Sequence, residues 1–446
     1  MFLPDNVKSI IERLETAGHD AFAVGGAVRD YLDHRITEKR EPFDYDIATS
    51  AFPAEIKEVF SDYRIVDIGE KHGTIALVIN KNGEKIEITT FRSDGEYSDS
   101  RHPDEVTFTR DLKTDLSRRD FTVNAMAYSD KTGLIDPYGG ENDLTDGILR
   151  CVGEPEKRFN EDALRIMRAL RFMSERGFVC EENTENALRE LKDNLKKISP
   201  ERIAAEFDRL LLGDYAERII MQYHDVLGVV FPEIIACAGF AQQNKYHIHD
   251  VLTHTAKAIA IAPKDRVIRL ALFFHDIAKP LCFTLENNTG TFTGHQAKSA
   301  EIAEKTMRRL CYNKSTIYKV VLLIEKHDDK LKSDRISVKS LLNRLGLKTL
   351  IQLCELKIAD DSAKSGFVML DIEKHRHVIE KAQEIAQSGE CYTLGMLAVN
   401  GGDLLTLGFK GKEIGKKLNL LLDKVITGQV ENTKESLLAL VNSKTK

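Results

Sequence analysis

The sequence predicts a multidomain chain with an α/β head followed by an all-helical remainder, and three observations carry that reading. At 446 residues the chain exceeds what one hydrophobic core organises. Strand-like runs recur at 21–24, 65–68, 74–79 and 84–90 and nearly vanish beyond residue 150. From there, amphipathic segments separated by short polar turns continue to the end. A hydrophobic content of 42% with 30% charged residues is that of a chain able to bury sizeable cores, which excludes a disordered protein. The net charge of −6 gives no global attraction to nucleic acid, so such a partner requires basic residues concentrated on one surface. Seven scattered cysteines, an odd number without a C-x-x-C pair, predict reduced thiols. No basic leader precedes an apolar run, and no run reaches bilayer-spanning length, which predicts a cytoplasmic protein with no membrane partner.

The head opens with a helix over 7–17 and a short strand at Phe22-Ala23-Val24. Gly25-Gly26 then turns the chain where a helix begins, so backbone N–H groups point at a bound anion, and Arg29 adds a donor fork suited to phosphate. In Asp44-Tyr45-Asp46-Ile47 a strand places both carboxylates on one face, an arrangement that suits Mg²⁺. Glu87, on the alternating run 85–89, belongs to a strand adjacent to them. The segment 159–172 predicts one helix with Ala163, Ile166, Met167 and Leu170 as its core stripe, which sets Asp162 and Arg165 side by side. The plain reading of that pair is a helical ion pair worth about a few tenths of a kcal/mol. The chemical reading is that Arg donors and Asp acceptors together match an exocyclic amine beside an unprotonated ring nitrogen. Cytosine and adenine both present that edge; uracil and guanine present the opposite one, so CTP and ATP are accepted and UTP and GTP refused. Residues 285–291 predict a loop or hairpin, and 360–366 a break.

Taken in order, Gly25-Gly26-Ala27-Val28-Arg29-Asp30, Asp44-Tyr45-Asp46, Arg118-Arg119-Asp120-Phe121-Thr122-Val123-Asn124-Ala125, Glu161-Asp162-Ala163-Leu164-Arg165 and the run from Pro200-Glu201-Arg202-Ile203 to Leu211 resemble the five motifs of class II tRNA nucleotidyltransferases. These are the CCA-adding enzymes, which share a head and neck with bacterial poly(A) polymerases. The match covers roughly the first half and continues more weakly at Val399-Asn400-Gly401-Gly402-Asp403-Leu404 and 408–415, which resemble the tail of the Gram-positive type. The resemblance implies a polymerase beta-like nucleotidyltransferase head over 1–150, a helical nucleotide-selecting neck over 151–235, an HD-like helical body over 236–345 and a tRNA-binding tail over 346–446. It implies that Gly26, Arg29 and Arg119 meet the nucleotide triphosphate and that Asp44 and Asp46 hold Mg²⁺, to which the reading of the turn and the strand adds Gly25 at the nucleotide and Glu87 as the third catalytic carboxylate. It assigns Asp162, Arg165, Arg168 and Arg171 to nucleotide selection and binding. The segment 91–103 is similar to the family's flexible loop, which CC-adding relatives lack, and so points to full CCA addition or to A-only addition. A charged insertion at 34–41 and His102, where arginine is common, depart from the pattern.

His254, His275-Asp276, His295 and His327-Asp328 follow the order of an HD-type metal phosphohydrolase, with His254, His275, Asp276 and Asp328 as ligands for a second divalent transition metal and His247 and His249 as further candidates. Because His327 and Asp328 are adjacent, only one of them points inward from a helix. Near the C-terminus, Gly408, Gly411 and the cations Lys410, Lys412 and Lys416 predict a grip on RNA phosphates without base reading. The reading is therefore template-independent addition of CCA to tRNA from CTP and ATP. Its rivals are A-only addition, poly(A) polymerase and an HD phosphohydrolase with a nucleotide-binding head. The absence of a basic C-terminal extension weighs against poly(A) polymerase, and intact Asp44 and Asp46 weigh against the phosphohydrolase.

Overall fold

The structure, a computed structural model, describes residues 3–33, 45–80, 83–95, 106–244, 247–364 and 369–443. They form two compact units, Met1–Tyr215 with Asp225–Pro232, and Ala216–His224 with Glu233–Lys446.

In the first unit, α1 (Asp5–Thr16) buries Val7, Ile10, Ile11 and Leu14, the i, i+3, i+4, i+7 face of its sequence. The wholly buried β1 (Ala21–Val24) runs into Gly25, whose φ of +70° favours glycine, and α2 (Gly26–Leu32) begins there. β2 (Asp46–Thr49), α3 (Pro53–Val59), β3 (Arg64–Gly69), β4 (Thr74–Val78) and β5 (Lys85–Thr90) follow. A small ribbon pairs β6 (Arg92–Asp94) with β7 (Val106–Phe108), and α4 (Leu112–Ser117), β8 (Ala127–Ser129), β9 (Gly133–Ile135) and α5 (Gly140–Asp146) complete the head. The sheet order is β3-β4-β5-β2-β1-β8-β9, antiparallel throughout except between β2 and β5. Its register sets Val24 opposite Asp46 and Asp46 opposite Glu87. Phe22, Val24 and Ala48 pack with Phe91, Leu116, Ala125 and Ala127 beneath that edge.

Beyond the head, β10 (Ile148–Leu149), α6 (Pro155–Glu161), α7 (Leu164–Arg176), β11 (Val179–Cys180), α8 (Glu182–Glu190) and α9 (Pro200–Leu212) follow in turn. The single helix expected over 159–172 is thus two helices. Asp162 is extended (φ −140°, ψ 101°), and its carboxylate accepts the Leu164 N–H at 3.0 Å, the local bond by which Asp competes with helix. The stripe of Ala163, Ile166, Met167 and Leu170 is nonetheless fully buried. Gly177, at φ +72°, stops α7 where a Cβ would sit 2.6 Å from the Tyr215 ring.

The second unit begins with α10 (Ala216–Gln222), and the chain passes between the units within α11 (His224–Leu227). Next come α12 (Val251–Ile261), α13 (Arg266–Phe274), the hairpin β12 (Thr284–Glu286) with β13 (Thr289–Thr291), α14 (His295–Arg309) and α15 (Lys314–Lys326). Asp250, Asp265 and Asn313 cap α12, α13 and α15 through their side chains, as short acceptors do. α16 (Arg335–Ser362) is interrupted at Gly346 (φ +73°, ψ 161°), and α17 (Met369–Ser388), α18 (Gly401–Thr406), α19 (Lys412–Ile426) and α20 (Lys434–Ser443) end the chain. The break expected at 360–366 begins later than its polarity suggests. Asp360 lies in α16, buried on the same face as Leu353, Leu356 and Lys357, while Gly366 lies outside the described residues. Val338, Leu342, Leu350 and Cys354 of α16 pack on Val378, Ala382 and Ile385 of α17, and the last helices close their own core around Leu404, Leu421, Leu422 and Leu437. Among the described residues no helix is long and apolar enough to cross a membrane.

Candidate functional site

At the end of β1 a Cβ on Gly25 would lie 3.2 Å from Arg119 Nη1 and 4.0 Å from Asp46 Oδ2. A side chain there would press on the tip of Arg119, and the positive φ of Gly25 already favours glycine. Asp46 and Glu87 are register partners on neighbouring strands, so they share a face, and both are exposed. Gly25, Arg119, Asp46 and Glu87 therefore meet on one edge of the sheet. Asp44 lies outside the described residues, as do the 34–41 insertion and most of the 91–103 segment, His102 included. Arg119 reaches its place from Asp115, whose Oδ2 it meets at 3.3 Å while Arg118 holds Oδ1 at 2.8 and 3.0 Å. Burial pushes the Asp115 carboxyl up, but Arg118 and Arg119 outweigh it and hold it below its ordinary value. Arg29 does not stand free over the turn. It is buried, donates from Nε to Asp30 Oδ1 at 2.8 Å and from Nη1 to Asn124 Oδ1 at 2.6 Å, and its Nη2, 2.6 Å from Asp30 Oδ1, lies 3.6 Å from where a Cβ on Gly26 would sit.

Asp120 is the hub behind that edge. Its carboxylate accepts from the Phe121 N–H (2.8 Å), Asn124 Nδ2 (2.9 Å) and both Nε and Nη2 of Arg168 (2.8 and 2.7 Å). Burial raises its carboxyl, but Arg168 and Asn124 hold it far below the usual carboxylate range. Arg171 pairs with Glu206 at 3.0 Å, and burial brings its guanidinium down to about 10. The guanidinium carbons of Arg29, Arg168 and Arg171 lie 4.9, 5.5 and 4.1 Å from the centre of the Phe172 ring, so one aromatic ring supports three cations.

The side-by-side pairing expected of Asp162 and Arg165 does not form. The break at Asp162 carries its carboxylate out of helical register and onto Arg202 at 2.7 Å. Arg165 instead donates to Glu161 Oε2 (2.8 Å) and to the carbonyls of Arg158 (3.1 Å) and Arg118 (2.9 Å). Sequence reasoning gave no role to Asn124, Phe172 or Arg202. All three lie inside or beside the quoted motifs, which is the only signal that marks them.

In the second unit His254, His275 and Asp276 converge as expected, but the fourth place belongs to Asp360 rather than Asp328. Asp360 Oδ1 lies 2.9 Å from His254 Nε2, whereas the Asp328 side chain is 44% exposed and comes no nearer than 3.6 Å to a ring nitrogen. His327, not its neighbour Asp328, points inward, and its Nε2 lies 3.3 Å from that of His295. The His247 ring stands edge-on to His254 at 5.2 Å, while His249 offers its backbone carbonyl to Gln242. Burial drives the His247 imidazole down to about 3 and that of His327 to about 4. Burial would lower His275 too, but the Asp276 and Asp360 carboxylates overcome it and hold it up at about 10. Asp360 escaped detection because it sits beyond residue 345 and 106 residues from His254 in the chain. In the last helices, Lys410, Lys412 and Lys416 are exposed around Gly411, which precedes α19, and Lys417 lies over the Phe409 ring at 5.2 Å.

Three family models match the chain: the poly A polymerase head domain at residues 21–150, the probable RNA and SrmB-binding site of polymerase A at 177–237, and the putative tRNA nucleotidyltransferase domain 2 at 291–441. A CCA-adding enzyme of Streptococcus mutans is 33% identical over 440 residues, 97% of this chain and 95% of the relative. One from Leuconostoc citreum is 49% identical over 207 residues, 46% of this chain and 49% of the relative. In these more similar alignments the chain spans about half the length of the curated relatives it matches. The crystal structure of the Bacillus stearothermophilus CCA-adding enzyme in complex with CTP superposes with a TM-score of 0.74 at 29% identity, covering 99% of this chain and 98% of that one. A family of nucleotidyl transfer enzymes implies a divalent metal.

Proposed function

Because the chain belongs to the CCA-adding enzyme family, we propose that it builds CCA on the 3′ end of tRNA from CTP and ATP without a template. The observation that carries this reading is the meeting of Gly25, Arg119, Asp46 and Glu87 on one edge of the head sheet. Backbone N–H groups at Gly25 and Gly26, together with Arg119, grip the triphosphate. The donors at the edge are all carboxylate oxygens, which fits Mg²⁺ held by Asp44 and Asp46 beside Glu87. The ion supplies a lowered pKa for the RNA 3′-hydroxyl and charge neutralisation for the departing pyrophosphate. Asp162 and Arg165 read the edge that cytosine and adenine share. They do so as separately fixed groups, the carboxylate aimed by Arg202 and the guanidinium by Glu161. Arg168 and Arg171, anchored on Asp120 and Glu206, form a rigid cationic floor for the nucleotide. Head, neck, body and tail divide near residues 150, 235 and 345, and Lys410, Lys412 and Lys416 hold the RNA backbone in the cytoplasm, where the substrate is met.

The test is to offer tRNA stripped of its CCA each labelled nucleotide singly and together. CTP alone should extend it by two residues, CTP with ATP should complete CCA, and UTP and GTP should give nothing. Extension only of tRNA that already ends in CC would make the protein an A-adding enzyme, and a long A run would make it a poly(A) polymerase.

A further inference from the structure

One side of α7 carries Arg165, Arg168, Phe172 and Arg176, at i, i+3, i+7 and i+11, so an aromatic ring stands in a row of guanidinium groups. The aliphatic stripe of Ala163, Ile166, Met167 and Leu170 lies on the opposite side and already gives the helix its core contact. Phe172 is nonetheless only 2% exposed. Much of what surrounds it is cationic. The Arg29 guanidinium carbon approaches from α2 at 4.9 Å, and those of Arg168 and Arg171 from α7 itself at 5.5 and 4.1 Å. Phe121 meets the ring edge-on, with centroids 5.8 Å apart at 83°, and so sets its plane.

The three cations have separate acceptors at their N–H edges: Asp30 and Asn124 for Arg29, Asp120 for Arg168, and Glu206 at 3.0 Å for Arg171. A guanidinium hydrogen-bonds through its edge only, so its flat surface needs another partner once burial removes water. A ring supplies one. Arg171, whose Nε makes no hydrogen bond, comes nearest to it. A leucine would fill the same space with no negative face to attract the cations.

The ring also stands where α2 meets α7. One turn further along α7, Arg176 Nη2 donates at 2.9 Å to Asp30 Oδ1, the oxygen that also accepts from Arg29 Nε at 2.8 Å. Asn124 adds a second link, because its Oδ1 accepts from Arg29 Nη1 at 2.6 Å while its Nδ2 donates at 2.9 Å to the Asp120 carboxylate that holds Arg168. Only an amide can accept on one side and donate on the other in this way. Arg29 stands directly behind the phosphate turn, with Nη2 3.6 Å from where a Cβ on Gly26 would sit. An aromatic contact and a polar relay thus fix the same two arginines, Arg29 and Arg168, relative to each other.

We propose that Phe172 is a positioning residue for nucleotide binding, its ring holding Arg29, Arg168 and Arg171 as one ordered cationic surface for the triphosphate. The inference deepens the transfer reading and rests on it. A surface ordered in advance loses little freedom when the nucleotide arrives, so affinity is the property the ring controls. Phosphates are common to CTP and ATP, and both therefore depend on it alike.

The test alters the charge distribution of the ring and keeps its shape. In the full-length protein, nonsense suppression replaces Phe172 by mono-, di- and trifluorinated phenylalanine, each fluorine drawing electron density from the ring face. On tRNA lacking CCA, log KM for CTP and for ATP should rise in step with fluorination and reach about tenfold in the trifluorinated protein. The kcat, the KM for tRNA and the preference for CTP over UTP should stay within about twofold, because only binding common to both nucleotides is lost. Phe172→Leu, apolar but without a ring, should raise both nucleotide KM values at least as far. A ring that acts by packing alone would leave the fluorinated series flat. A flat series in a protein that completes CCA, a Phe172→Leu protein with wild-type KM values, or an equal rise in the KM for tRNA would each overturn this inference and leave the transfer reading standing. Failure of the wild type to add C or A would remove both.

Discussion

On the proposed reading, Arg202 helps to fix the residue that selects the base. The Asp162 carboxylate is held from two sides, Oδ1 by the Leu164 N–H at 3.0 Å and Oδ2 by Arg202 at 2.7 Å. In Arg202→Ala that carboxylate keeps only the Leu164 N–H and can turn its other oxygen to water. The competition between UTP and CTP, measured as a ratio of kcat/KM values, should then relax about tenfold or more, the size of one charge-assisted contact. Arg202→Lys should recover part of the selectivity, because it keeps the charge and loses the fork. Unchanged discrimination by a folded Arg202→Ala would show that Asp162 is aimed by something else. At this scale the sequence was readable where chemistry is local. Gly25, Asp46 and Glu87 follow from a glycine turn and the two-residue period of strands, and register then brings the two carboxylates together. Arg202 and Asp360 were not readable as partners, because nothing in a local pattern says which distant acid or base a buried ion will meet.

Between elements, the segment after α4 is latched to α7 by a few buried polar bonds beside the edge-on contact of Phe121 with Phe172. Asp120 takes Arg168 twice, and Arg165 donates to the Arg118 carbonyl. Asp120→Asn removes the charge that Arg168 meets, but Arg168 is 32% exposed and keeps Glu206 at 3.6 Å, so the change should cost about 1–3 kcal/mol of unfolding free energy in chemical denaturation. The folded-state carboxyl of Asp120 is depressed, so its stabilisation is complete above the ordinary carboxylate value, near pH 4, and drains away as the pH falls below it. Wild type should therefore lose stability more steeply than Asp120→Asn below about pH 4, and parallel curves would contradict the latch. The lysines around α19 act in a different way, through phosphate. Changing Lys410, Lys412 and Lys416 to Ala should weaken tRNA binding alike for all tRNA sequences and lower the slope of log affinity against log salt by about one per lysine in contact. A loss confined to some tRNA sequences would mean base reading instead. The helices themselves were largely legible from apolar spacing. The break at Asp162 was not, because buried Phe159 stands four residues before Ala163 and keeps helical spacing with the stripe across it, while the Leu164 N–H bonds the Asp162 carboxylate where one helix ends and the next starts.

For the whole molecule, composition and length indicated several cores, and the chain folds as two compact units with the sheet confined to the first. The central claim is that one edge of that sheet performs the chemistry while RNA is held largely by its phosphates elsewhere. Asp46→Ala separates the two, since it removes a carboxylate from an exposed strand end and leaves the core beneath it intact. The measurement is to sequence the 3′ ends of tRNA lacking CCA after incubation with CTP and ATP and either protein, with tRNA affinity determined on the same preparations. The account predicts complete CCA ends from the wild type, a rate at least about a thousandfold lower from Asp46→Ala for both C and A, and equal affinities within about twofold. CCA ends formed by Asp46→Ala at a near-normal rate would contradict it.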